Sequence, residues 1–96
     1  MYLESKVLLS KQVKNDLRYL PRHIIHKFQG WITMVELYGI REARLIAGFH
    51  DEPLKGKREG QRSIRLNRAY RAFYIETNEK EVEIIQVIEV NKHEYK

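Results

Sequence analysis

Cysteine is absent from this sequence. That absence excludes a disulfide framework and all thiolate chemistry. No apolar run approaches the roughly 20 residues that span a bilayer. The opening MYLESKVLLSKQV has no apolar core of signal-peptide length. A cytoplasmic protein without membrane contact is the expectation. The sequence also lacks a GxxxxGK[ST] loop, a GxGxxG turn and an HExxH helix. GKREG resembles a phosphate loop only in its glycines, because the Lys-Ser/Thr pair and a following helix are missing. The serines are Ser5, Ser10 and Ser63, and none stands in a nucleophile elbow. His23 and His26 are three apart, and His50 precedes two acids, but no zinc spacing emerges. Neither a metal nor a cofactor is expected.

What is present is basic charge, unevenly placed. The chain has 96 residues and a formal charge of +5. That length suits a single domain, residues 1–96, with one modest core. Between Pro53 and Ile75 lie seven basic residues and one acid. A local excess of this kind attracts polyanions, nucleic acid first. A solvated basic face and an acidic protein partner are the other readings.

Hydrophobic spacing gives the architecture. SKVLL, residues 5–9, is a strand candidate. Ser10 suits a helix N-cap, because its hydroxyl can accept from a free N–H of the first turn. That helix is expected from about Lys11 to Tyr19, with Pro21 ending it and opening the next. Ile24, Phe28, Trp31, Ile32, Val35 and Tyr38 recur at three and four residues, predicting an amphipathic helix closed by Gly39. Residues 41–60 carry no clear period, and HDEPLKGKREG reads as a loop. In REGQRSIRLNRAYRAFY the arginines are spaced four, three, three and three. SIRL and FYI nevertheless favour two strands joined by NRAY over one arginine-striped helix. EVEIIQVIEV then reads as a strand buried on both faces. The segment from Gly60 to Val90 is therefore an antiparallel meander. The fold class is α+β: a short N-terminal strand and two helices packed on an antiparallel sheet, its other face partly open and basic. Arg65 belongs on that open face. Arg62 and Arg68 would share the phase of Ile64 and Leu66, and so are expected at the strand's ends.

The chemistry follows from what the open face holds. Arginine presents a planar fork that matches two phosphate oxygens. His93 and Tyr95, in the closing VNKHEYK, add a group that titrates near neutrality and one that can stack on a base. Such a set can cleave RNA with the substrate's own 2′-hydroxyl as nucleophile. The protein must then align the attack, neutralise charge on the phosphorus and protonate the leaving oxygen.

At HDEPLKGKREGQRSIRLNRAYRAFY, with VIEVNKHEY after it, the sequence resembles the RelE/HigB superfamily of bacterial type II toxins. Strand, two helices and antiparallel sheet follow in the family's order over nearly the whole chain. The resemblance implies a RelE-like fold and a metal-independent endoribonuclease that cuts messenger RNA in the ribosomal A site. It also implies a cognate antitoxin as partner. Arg65 falls on the strand where the family places a phosphate-contacting residue, and Arg71 matches the arginine of YR. His93 falls where relatives carry Arg or His, as general acid, and Tyr95 lies near a base-stacking tyrosine. Lys55, Lys57 and Arg58 fall in the RNA-contacting loop, and His50 loosely matches a loop histidine. Arg62, Arg68 and Lys92 complete the expected RNA-binding set. Ser63 stands where some relatives have lysine, so the basic array is thinner here. The general base is left open. Two alternatives remain at this level: a ParE-type gyrase inhibitor and a non-catalytic nucleic-acid-binding module.

Overall fold

The computed structural model describes residues 2–92. Five strands form one sheet: β1 (Glu4–Leu9), β2 (Glu52–Pro53), β3 (Arg62–Arg65), β4 (Tyr70–Glu76) and β5 (Val82–Lys92). Their spatial order is β1-β5-β4-β3-β2. The meander β3–β4–β5 is antiparallel, whereas β1 lies parallel to β5. The helices α1 (Lys11–Asp16), α2 (Arg22–Tyr38) and α3 (Ile40–Arg44) follow β1 in the chain. This is the mixed α+β architecture expected from the sequence, with the first strand added in parallel at the far edge.

Local chemistry sets the helices. Ser10 caps α1, its Oγ accepting from the Val13 N–H at 3.1 Å. A 3-10 turn over Leu17–Tyr19 carries the helix on to the end expected for it. On α2 the stripe Ile24, Phe28, Trp31 and Val35 is fully buried against the sheet. Tyr38 departs from the expectation and is exposed. Gly39 follows at φ +87, ψ 162, a conformation only glycine adopts freely. Trp31 lies between Phe28, stacked at 6.2 Å, and Tyr74 of β4 at 5.4 Å, so the aromatic layer joins helix to sheet.

Burial along the strands is mostly one-sided, with Ser63 buried on the opposite face. Ile64, Leu66, Ala72, Tyr74, Ile85 and Val87 pack under the helices. On β5 the opposite face, with Ile84, Gln86 and Ile88, is only half covered rather than fully buried as the sequence suggested. A register shift between Phe73 and Tyr74 leaves Ile88 as an extra residue, which returns Val90 to the core opposite Ala72. Glu83 carries a carboxylate into the core. Glu83 accepts from Ser5 Oγ and from the Ile40 N–H, each at 2.9 Å, tying β1, β5 and the α2–α3 junction together.

A candidate nucleic-acid interface on the open face

The pleat turns Ser63 and Arg65 of β3, and Arg71, Phe73 and Ile75 of β4, away from the helices. Arg65 is paired directly with Arg71, and Ser63 with Phe73. Two like charges opposite one another repel. The short strand β2 relieves this. Glu52, paired with Ser63, extends to Arg71, with Oε1 3.3 Å from Nη1. His50 Nε2 lies 3.5 Å from the second Glu52 oxygen. The Arg65 side chain makes no hydrogen bond or ion pair with any described residue. The face therefore presents one arginine restrained by a carboxylate beside one that is not. The sequence gives no sign of Glu52's place, because a two-residue strand has no period to detect.

β5 supplies the other side. Asn91 is paired with Arg71 and Glu89 with Phe73. Asn91 also donates to Glu89. Arg58, from the 3-10 turn Gly56–Arg58, reaches over this region. Its Nη2 is 2.7 Å from Glu89, its Nη1 donates to Gln61 at 2.7 Å, and its guanidinium carbon lies 4.2 Å from the Phe73 ring centre. Lys55 and Lys57 are exposed on the same loop. Arg68 is exposed on the β3–β4 turn. Asn67 Oδ1 fixes that turn by accepting from the Ala69 and Tyr70 N–H groups at 2.7 and 2.8 Å. Lys92 is paired with Tyr70, out of phase with the arginines at the exposed end of β5. His93 and Tyr95 lie outside the described residues.

Arg62 does not join this face. It starts β3 in phase with Ile64, as its parity required, and its Nε donates to Asp51 at 2.7 Å. The Asp51 side chain is fully buried. Its other oxygen accepts from the Tyr74 hydroxyl at 2.7 Å, and Tyr74 accepts from Arg44 Nε at 3.1 Å. Arg44 also pairs with Glu76. Burial, and then the bond to Asp51, raise the Tyr74 phenol well above its ordinary value. For Arg44 burial acts downward, but the bonds to Tyr74 and Glu76 outweigh it and raise the guanidinium above its usual value. This network is the support beneath the site. It holds residues 51–52 in register, so that Asp51 points inward and Glu52 outward.

The fold is RelE-like. E. coli YafQ matches with a TM-score of 0.70 at 16% identity, covering 93% of each chain. The YoeB dimer from Staphylococcus aureus matches at 0.67 and 21%, over 96% of this chain and 99% of that one. A chain of the E. coli DinJ–YafQ toxin-antitoxin complex matches at 0.69 and 18%, over 95% and 94%. No family model and no curated protein sequence matches the chain. The likeness is one of architecture, carried by very different sequences.

Proposed function

We propose that this protein is the toxin of a type II toxin-antitoxin system, a ribosome-dependent endoribonuclease that cuts messenger RNA and so stops translation. The observation that carries the reading is the Arg65–Arg71 pair on the open face of a RelE-like sheet, with Glu52 in contact with Arg71. Two adjacent guanidinium groups suit a phosphate whose charge grows as a fifth oxygen bonds to phosphorus. Glu52 suits the general base. It takes the 2′-hydroxyl proton as that oxygen attacks the neighbouring phosphorus. The bond to the 5′ oxygen breaks, and His93 is the group proposed to return a proton to it. The products are a 2′,3′-cyclic phosphate and a free 5′-hydroxyl. Tyr95 is proposed to stack on a substrate base. Lys55, Lys57, Arg68 and Lys92 are proposed to follow the RNA backbone, while Arg62 holds Asp51. The substrate supplies the nucleophile, so the proposed step runs without a metal.

The same reading implies a cognate antitoxin. Its inhibitory segment is proposed to be acidic, an amphipathic helix or an added strand lying over the basic loop. The complexed state of the YafQ match supports a protein partner of this kind. The test of function is primer extension on a defined message with purified protein, with and without ribosomes, in EDTA, beside an R71A/H93A double variant. Discrete ribosome-dependent cuts that survive EDTA and vanish in the variant support the proposal. Cuts without ribosomes leave a ribonuclease and remove the A-site mechanism. Growth arrest with intact message and damaged DNA points to gyrase instead.

A further inference from the structure

Arg58 is among the basic residues expected to bind RNA, yet two of its nitrogens are already engaged and its charge already has a partner. Nη1 is taken by Gln61 and Nη2 by Glu89, and its charge is matched by that carboxylate. Part of the side chain nevertheless stays open to a ligand. The guanidinium lies over Phe73, and the side chain remains 38% exposed. Bonds at two of its nitrogens and a ring beneath fix its orientation before any ligand arrives. Phe73 itself sits on the face away from the core, between Ser63 and Glu89, where packing under the helices does not call for an aromatic ring. It stands two residues from Arg71 on the same strand and face, about 7 Å away by strand geometry. That is the reach from a nucleotide's phosphate to a neighbouring base.

We infer that Arg58, held over the Phe73 ring, is a stacking platform for a nucleobase of the bound RNA, and not a phosphate contact. The inference rests on the RNA reading above and adds a site to it. Bases stack on guanidinium planes as they do on aromatic rings. Glu89 and Gln61 act by positioning the plane. Phe73 acts by supporting it from below.

Stacking and phosphate contact separate cleanly in experiment. A phosphate contact contributes to the salt dependence of binding whether arginine or lysine makes it; a stack needs the plane and does not contribute. The measurement is fluorescence anisotropy of a single-stranded, 2′-O-methylated RNA oligonucleotide, which cannot be cut, over a salt series. The proteins are wild type, R58A, R58K, F73L and R71A. R58A and R58K are both expected to bind about tenfold more weakly, with the wild-type salt slope. F73L should fall between them and wild type. R71A should weaken binding and lower the slope by about one. Wild-type binding by R58K, or a reduced slope in R58A, would make Arg58 a phosphate contact and overturn the inference. Unchanged binding by R58A, with R71A behaving as stated, would overturn the platform while leaving the RNA reading intact. Absence of binding by wild type overturns both.

Discussion

Asp51 and Glu52 are neighbours in the chain and serve opposite faces of the sheet. Asp51 binds Arg62 and Tyr74 underneath, and Glu52 meets Arg71 above. One peptide unit thus links a buried structural network to the face proposed to handle RNA. Substitutions at the two positions should therefore separate folding from function.

Asp51→Asn removes the charge that compensates Arg62 and degrades a fully buried acceptor. Breaking a buried pair from one side is strongly destabilising, and here Arg62 is partly exposed, so a loss of about 3 kcal/mol is expected. Urea unfolding at neutral pH measures it.

Glu52→Gln should leave stability within about 0.5 kcal/mol of wild type, because the Arg71 pair is partly solvated. Cleavage of a ribosome-bound message should fall by about 10²–10⁴-fold if Glu52 takes the 2′-hydroxyl proton. A melt that matches wild type beside unchanged cleavage would remove Glu52 from the mechanism.

Tyr74 sets an alkaline limit. Its phenol keeps its proton in the folded state to a higher pH than in the unfolded chain. Above about pH 10 the unfolded state therefore holds fewer protons than the folded one. Stability falls as pH rises through that window, and below it this group contributes no pH dependence. Unfolding midpoints taken either side of pH 10 should show the decline. Tyr74→Phe should start from lower stability and decline less steeply.

Gly39→Ala should cost about 1–3 kcal/mol, since φ +87 with ψ 162 belongs to a region that residues with a Cβ avoid. The added methyl would also stand 3.5 Å from Glu83 Oε2, close to the bond that Glu83 makes with the Ile40 N–H. A thermal melt is sufficient to detect the loss.

Much of the frame could be read from the residues. Ser10, the stripe from Ile24 to Val35, Gly39 and the alternation of Ile64 with Leu66 are local signals. Local signals survive folding because each rests on the chain's own geometry. Arg62 shows the same logic, since its parity alone placed it away from Arg65. The misses share the opposite property. α3 has five residues and β2 has two, too few for any period to register. The parallel pairing of β1 with β5 joins segments about 78 residues apart, which no window along the chain can see. The clamp of Arg58 between Phe73, Gln61 and Glu89 likewise depends on three segments meeting. Counting charge over residues 53–75 overstated how open the face is, because the acids that meet it, Glu52 and Glu89, lie outside that interval.

The sheet order carries a consequence for synthesis. β5 lies between β1 and β4, yet it is the last strand in chain order. Until Val82–Lys92 has left the ribosome, β1 has no strand to pair with, and Phe73 has no Glu89 beside it. Closure of the sheet waits on contacts between the two ends of the described chain, the slowest kind to form. A nascent chain interrupted before β5 therefore has the arginines but no assembled face.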